Sequence, residues 1–200
     1  MRDPAVTRGR ILDEALHCFA AAGYGSTSLD SLAAGLGLRK QTILHHFGTK
    51  EGLLVAVVDR SAAELRDALE EALARAGPGF ARVEALVRAV FRLAGRRPEL
   101  LGLVREVSRL GPPAATRLVE VLDPLVERAR AFLEEEMAAG RMRVTDPRLL
   151  LLSAYSTVIG VATEVEVLRA VGVEPTARSL VARRADLLAF LRSALVAGTP

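Results

Sequence analysis

Apolar residues along the chain recur every three or four positions, which is the spacing of one face of an α-helix. Alternating runs of Val, Ile, Thr and Tyr, which would predict strands, are nearly absent, and Ala, Leu, Arg and Glu dominate instead. Gly and Pro divide the pattern into segments. These lie near residues 11–23, 27–35, 39–46, 50–76, 80–94, 98–111, 114–139, 146–171 and 175–195. The pattern therefore predicts an all-α fold of about nine helices.

Local signals place several helix ends. Residues 27–30 match a capping box, in which side chains at the first turn satisfy free backbone N–H groups. Inside the segment 114–139, the pair Asp123-Pro124 predicts either a kink or the start of a new helix. The three short helices predict one domain over residues 1–48, and the long helices predict a second over 49–200. The helix that begins at Lys50 is expected to join them rigidly.

Length and composition exclude several classes of protein. The 200 residues are half hydrophobic and 26% charged, which allows a buried core and excludes a disordered chain. A single cysteine, Cys18, excludes a disulfide framework and a Cys-rich zinc site. The first residues contain no apolar segment typical of a signal peptide, so we expect a cytoplasmic protein. Residues 149–163 carry no charge, but a membrane span needs about twenty apolar residues, so no membrane association is expected.

The distribution of rare residue types changes this picture. The chain has no Asn, one Gln, two Lys and three His, so 25 of its 27 Lys and Arg residues are Arg. Such a bias occurs in proteins of thermophiles and of organisms with high-GC genomes, but neither origin explains where in the sequence the rare residues lie. Five of the six Gln, Lys and His residues lie between positions 40 and 50. Residues 31–50 include three basic side chains and no acid, so their charge of +3 equals the net charge of the whole chain.

Residues 27–46 have the pattern of a helix-turn-helix, in which two short helices are joined by a tight turn that contains glycine. The second helix, 39–46, is then the recognition helix that enters the major groove of DNA. If Ile43 faces the core, the rotation of about 100° per residue places Phe47 on the same inward side. Gln41 and His45 fall on the outward side, about 160° and 200° from Ile43. The outward face therefore carries the rare polar residues.

The side chains on this face suit DNA. Gln41 can form two hydrogen bonds with adenine, Lys40 can donate to guanine, and His45 can donate or accept. Three further residues suit contacts with phosphates, which position a protein without selecting sequence: Thr42, His46 and Lys50. A basic arm is expected near the N-terminus from three arginines: Arg2, Arg8 and Arg10.

Residues 10–54 resemble the DNA-binding domain of the tetracycline-repressor (TetR) family of bacterial regulators. The matching positions are Ile11, Phe19, Gly23-Tyr24, Thr27-Ser28, Leu32-Ala33, Gly37-Leu38, Thr42-Ile43, His46-Phe47 and Lys50-Glu51-Gly52-Leu53-Leu54. The resemblance implies a homodimeric repressor with a helix-turn-helix domain and a C-terminal helical ligand-binding and dimerisation domain. A small molecule that binds the C-terminal domain would release the DNA. The residues expected to contact double-stranded DNA are Thr27, Ser28, Arg39, Lys40, Gln41, Thr42, Leu44, His45, His46 and Lys50.

Three positions depart from the usual family pattern. Arg39 stands where a small hydroxyl residue often caps the recognition helix, and an arginine cannot accept that hydrogen bond. Either the helix start is looser or Arg39 itself contacts DNA. Leu44 and His46 stand where the family often has tyrosine. Leu44 can contact a thymine methyl group or pack against the first helix, and His46 can still reach a phosphate.

The C-terminal helices predict a contact with a second copy of the chain. The segment 146–171 is apolar nearly all round, so we expect it to be buried against its own domain and against a partner subunit. A row of leucines in the last helix also needs cover: Leu180, Leu187, Leu191 and Leu195. The resemblance implies that these two helices form a four-helix dimer interface. A dimer would bind a near-palindromic operator with half-sites roughly one helical turn of DNA apart.

A pocket for a small apolar or amphipathic effector is expected among the middle helices. The candidate lining residues are Phe91, Leu103, Val107, Phe132, Tyr155 and Thr163. Each of them also fits an ordinary core position. Arg105, Tyr155 and Glu164 suit either the orientation of a ligand or structural ion pairs and hydrogen bonds.

Two other classes of protein are alternatives to a DNA-binding regulator. An enzyme with nucleophilic catalysis needs a Ser or Cys beside a His, but His17 and Cys18 diverge by about 100° on a helix. His45 and His46 diverge in the same way, and neither a His-x-x-x-His nor a Cys-x-x-Cys spacing occurs, so no catalytic residue, metal or cofactor is expected. The other alternative is a helical scaffold protein whose helix-turn-helix no longer contacts DNA.

Overall fold

The computed structural model describes residues 4–196, and this part of the chain forms ten α-helices and no β-sheet. Met142 and Val196 form an isolated antiparallel bridge. No helix within these residues is both long and apolar enough to cross a membrane. The all-α fold is therefore confirmed, with one helix more than expected. The helices are α1 (Pro4–Ala22), α2 (Leu29–Leu36), α3 (Lys40–Phe47), α4 (Lys50–Ala74), α5 (Phe80–Arg96), α6 (Pro98–Leu110), α7 (Ala114–Ala138), α8 (Pro147–Thr163), α9 (Val165–Ala170) and α10 (Ala177–Leu195).

The additional helix arises because the segment 146–171 is two helices, α8 and α9, rather than one. Glu164 between them leaves the helical region, with φ −80° and ψ 77°. Neither Gly nor Pro marks this break, so the sequence pattern gave no signal for it. At Pro124, where the sequence allowed a new helix to start, α7 instead runs through the proline.

The described chain forms two compact units. One comprises the chain up to Leu65 together with Glu99–Leu122, and the other comprises Arg66–Pro98 together with the chain from Asp123 onward. Helix α6 and the start of α7 thus belong to the same unit as the three short helices. This division differs from the boundary after residue 48, and the domains 1–48 and 49–200 stay a prediction.

Apolar side chains from α1, α3, α4 and α6 form the core of the first unit. Ile11, Phe19, Ile43, Leu53 and Leu101 have no exposed surface. Burial of each such side chain contributes about 1.5–3 kcal/mol. The short helices are therefore oriented by the residues that they bury.

In the second unit, α5, α8 and α10 pack against one another. Leu187, Leu191 and Leu195 are between 4% and 7% exposed, so the chain itself covers them. Three of the four leucines in the predicted row therefore need no partner subunit to cover them, whereas Leu180 is half-buried. A helical pattern predicts that a row of apolar side chains is buried, but it does not indicate whether the same chain or a partner subunit covers them. The large apolar residues exposed on α10 are Val181 and Phe190.

An ion pair between a buried glutamate and an exposed arginine closes the end of α7. Glu136 is 4% exposed, and its two carboxylate oxygens accept hydrogen bonds from Nε and Nη2 of Arg141, each at 2.8 Å. These bonds hold the pKa of Glu136 below its usual range, although burial alone would raise it. The pair ties the turn after α7 back to the helix.

We expect Glu136→Gln to lower the free energy of unfolding at pH 7 by roughly 1–3 kcal/mol, because Arg141 loses a charged partner. The pKa of Glu136 is lower in the folded than in the unfolded state. Its contribution is therefore present above the unfolded value of about 4.3 and is lost as the pH falls through the folded value. Urea unfolding of both proteins should show their difference shrinking as the pH falls below about 4. Glu135→Gln removes an exposed neighbouring charge, and an equal loss in that control would contradict the prediction.

Candidate nucleic-acid interface

Helices α2 and α3 form the helix-turn-helix, and α2 packs against both α1 and α3. Ser28 caps α2, because its Oγ accepts from the backbone N–H of Ser31 at 3.0 Å. In return Ser31 Oγ accepts from the Ser28 N–H at 3.2 Å. The predicted capping box is therefore shifted by one residue, with Ser31 rather than Asp30 as its second member. Gly37 ends α2 at φ 64°, in the left-handed region that favours glycine.

The burial of Ile43 fixes which face of α3 is exposed. Gln41 and His45 lie on the exposed side, as the helical geometry predicts. Neither side chain has a hydrogen-bond partner within residues 4–196, so both keep their donors and acceptors for another molecule. Arg39 is the N-cap residue of α3 and makes no side-chain capping bond, which leaves its guanidinium exposed.

The two lysines of this segment are engaged within the chain. Lys40 Nζ lies 2.9 Å from Asp30 Oδ2, with side chains that are 49% and 70% exposed. Lys50 Nζ donates to the Tyr24 carbonyl at 2.6 Å and lies 4.2 Å from the centre of the Tyr24 ring. The +3 charge of residues 31–50 is thus partly compensated by Asp30, one position outside that window. Contacts of both lysines with DNA stay predictions.

Neither Asp30 nor Tyr24 was expected to hold a lysine. Asp30 could have been found as an acid one residue before the basic segment and on the preceding helix. Tyr24 lies 26 positions from Lys50, and nothing in the local sequence pattern indicates that contact.

The other predicted DNA contacts range from buried to exposed. Thr27 is 5% exposed, and its Oγ1 donates to the Gly23 carbonyl at 2.9 Å, so it stabilises the turn before α2. Thr42, Leu44 and His46 are half-buried along α3, and Ser28 is exposed. The roles of these residues at DNA stay predictions.

The expected basic arm is helical where the structure describes it. Arg8 and Arg10 lie within α1, which Pro4 begins. The Arg8 guanidinium lies 5.2 Å from the centre of the Phe47 ring, and Arg10 Nη2 donates to the Leu36 carbonyl at 3.4 Å. Both arginines thus connect α1 to the helix-turn-helix. Arg2 lies outside the described residues.

The six candidate pocket residues are divided between the two units. Leu103 and Val107 are buried on α6 in the first unit. The other four belong to the second unit and range from buried to exposed: Phe91 at 2%, Phe132 and Thr163 half-buried, and Tyr155 at 46%. Two cavities of the first unit, about 330 Å³ beside Pro113 and about 100 Å³ beside Tyr24, are lined by none of the six.

A short exposed helix with polar residues, oriented by a buried isoleucine within a three-helix unit, defines a helix-turn-helix DNA-binding protein. Residues 11–57 match the model of the family described as bacterial regulatory proteins, tetR family. The HTH-type transcriptional repressor AcnR of Corynebacterium jeikeium is 30% identical over 146 residues, which cover 70% of this chain and 71% of that protein. The chain belongs to the TetR family, and it is a DNA-binding transcriptional regulator rather than an enzyme.

Solved structures share the fold over nearly the whole chain. A TetR transcriptional regulator from Chloroflexus aurantiacus has a TM-score of 0.75 at 25% identity, covering 99% of this chain and 100% of that chain. A transcriptional regulator from Saccharomonospora viridis, in complex with choline, has a TM-score of 0.78 at 20% identity, covering 97% and 100%. The family resemblance seen in residues 10–54 is thus confirmed, and the fold likeness extends through the C-terminal helices.

We expect Gln41→Ala to weaken operator binding about tenfold or more, because a side chain that hydrogen-bonds to a base edge contributes about 1–3 kcal/mol of discrimination. His45→Ala should weaken it less, since one imidazole makes fewer such bonds. Fluorescence anisotropy with operator and with scrambled DNA measures the loss, which should be confined to the operator. His17→Ala removes an exposed histidine of α1 and serves as the control. Unchanged operator binding in both α3 variants would show that this face does not contact bases.

Proposed function

We propose that the protein is a homodimeric repressor that leaves its operator when a small apolar or amphipathic molecule binds. The observation that carries the DNA-binding part is the exposed pair Gln41 and His45, which have no hydrogen-bond partner in the described chain. Repression is favoured over activation because a relative of 30% identity is named a transcriptional repressor.

The second copy of the chain is proposed to pack on the outward faces of α8 and α10. These helices carry large apolar side chains that are between 46% and 61% exposed: Leu149, Leu152, Tyr155, Val181 and Phe190. On α10, Val181 and Phe190 lie about 180° apart around the helix, on either side of its buried leucines. Large exposed apolar patches are typical of contacts between proteins. Because α8 and α10 already pack against each other, two copies would supply the four helices of the interface. Two-fold symmetry then favours a near-palindromic operator with half-sites about one helical turn apart.

The effector site is proposed to lie within the second unit, which holds four of the six candidates: Phe91, Phe132, Tyr155 and Thr163. Support comes from the regulator of Saccharomonospora viridis, which has this fold and holds the small organic molecule choline. The apolar character of most candidates favours an effector with substantial apolar surface.

The function is tested by sequencing the genomic DNA that the full-length protein retains, followed by gel shifts on the enriched fragments. We expect a near-palindromic site and, on deletion of the gene, higher transcript levels from the neighbouring promoters. Substrates and products of the regulated genes are then titrated into the complex, and the effector should release DNA. Failure to enrich any site, with the fold intact, would favour the scaffold alternative.

We expect Leu152→Glu and Phe190→Glu to convert the dimer to monomers, because each buries a charge in the proposed interface. Operator affinity should fall by roughly a hundredfold, since two half-sites are no longer bound together. Sedimentation equilibrium measures the subunit mass. Val119→Glu changes an exposed valine of α7 (64% exposed) outside the interface and should remain dimeric. Dimers of unchanged stability in both α8 and α10 variants would place the interface elsewhere.

A further inference from the structure

Both backbone polar groups of Tyr24 are bound by side chains from other helices. The Tyr24 N–H donates to Glu106 Oε1 on α6 at 2.8 Å, and the Tyr24 carbonyl accepts from Lys50 on α4 at 2.6 Å. Tyr24 follows Gly23, which ends α1 at φ +84°. The N–H that emerges from the end of α1 is thus satisfied by a carboxylate 82 positions away in the chain. A half-buried N–H that loses such a partner is costly to leave unpaired.

Helix α6 holds Glu106 in a fixed place. Its apolar face is deeply buried, with Leu101 at 0%, Leu103 at 2% and Val107 at 1% exposure. The helix also passes close to the end of α1, since a Cβ built on Gly102 would lie 3.3 Å from the Ala20 Cβ. At Gly23 a Cβ would lie 3.2 Å from Glu106 Oε1. The carboxylate therefore contacts the turn directly and cannot shift far without breaking the contact.

The turn that Glu106 contacts leads straight into the helix-turn-helix. Thr27 Oγ1 donates to the Gly23 carbonyl at 2.9 Å, and Ser28 caps α2. Because α2 packs on α3, the position of this turn sets the position of the two helices that present Gln41 and His45. Only three residues, 25–27, lie between Tyr24 and Ser28, the N-cap of α2, which leaves little chain to absorb a displacement.

We propose that Glu106 is a positioning residue for sequence-specific DNA binding. Its carboxylate holds the Tyr24 N–H, fixes the turn between α1 and α2, and thereby orients the recognition helix toward the bases. Base contacts depend on this orientation, whereas contacts between basic side chains and phosphates tolerate small displacements. Loss of Glu106 should therefore reduce the preference for operator over other DNA. This role rests on the proposed recognition of an operator by α3.

The contact itself can be measured without DNA, because the chain has only two tyrosines, Tyr24 and Tyr155. Labelling with ¹⁵N-tyrosine gives two backbone amide signals, and Tyr155→Phe assigns the signal of Tyr24. In Glu106→Ala we expect the Tyr24 amide proton to move upfield and to exchange with solvent about tenfold faster or more. In Glu106→Gln, whose amide oxygen can still accept, the signal should stay near its original position. A Tyr24 signal that is the same in wild type and Glu106→Ala overturns the proposal.

The effect of losing the Glu106 contact on DNA binding is measured as the affinity for operator and for scrambled DNA at one salt concentration. We expect Glu106→Ala to bind operator about tenfold more weakly and Glu106→Gln within about threefold of wild type. Binding of scrambled DNA should match that of Glu120→Ala, which removes an exposed carboxylate of the same unit and controls for the change in charge. The proposal is overturned if Glu106→Ala and Glu120→Ala bind operator with equal affinity. It is also overturned if Glu106→Ala loses affinity for operator and for scrambled DNA by the same factor. If wild type itself prefers no sequence, the proposed function has failed, and the Tyr24 signal still reports on the contact.

Discussion

The burial of one side chain, Ile43, decides what the outer surface of the recognition helix can do. A helix of eight residues has little stability of its own in water, so α3 depends on the side chains that anchor it. Ile43 has no exposed surface, and its burial contributes about 1.5–3 kcal/mol. Because a helix turns about 100° per residue, an inward Ile43 leaves Gln41 and His45 outward. Any substitution that repacks Ile43 would rotate or loosen the surface that is proposed to recognise bases.

The charges around α3 are more balanced than the net charge of +3 suggests. Asp30 pairs with Lys40, and the Tyr24 carbonyl and ring hold Lys50. The Lys40 pair is exposed and therefore weak, so a base or a phosphate can replace the carboxylate at small cost. Burial raises the pKa of the Tyr24 hydroxyl, with a further increase from the Glu51 carboxylate, so Lys50 lies over a neutral ring. A DNA contact by Lys50 would have to replace these contacts within the domain, whereas one by Lys40 would replace only an exposed ion pair.

Features that depend on neighbouring positions could be predicted from the sequence. The helical spacing predicted the all-α fold, and the same spacing applied to α3 predicted that Gln41 and His45 are exposed. Features that depend on distant partners could not. The bond from Tyr24 to Glu106 joins positions 82 apart, and no pattern within α6 distinguishes this glutamate from a solvated one. The break at Glu164 has no Gly or Pro to mark it, so local propensity favoured one continuous helix.

Helix α10 shows why a hydrophobic pattern alone does not identify an interface. Its leucines Leu187, Leu191 and Leu195 pack inside their own unit, whereas Val181 and Phe190 remain exposed. Both sets are apolar, and a helix with two apolar sides is expected where one side meets the domain and the other a partner. The most regular apolar row of α10 is the one that stabilises the fold of the single chain, because a core must exclude water along the whole helix. The exposed Val181 and Phe190 lie about 180° apart around α10 and flank the buried row, so they are the apolar residues of this helix that remain for the proposed contact between subunits. The same reasoning applies to α8, where Val158 and Ala162 are buried while Leu149 and Leu152 are exposed.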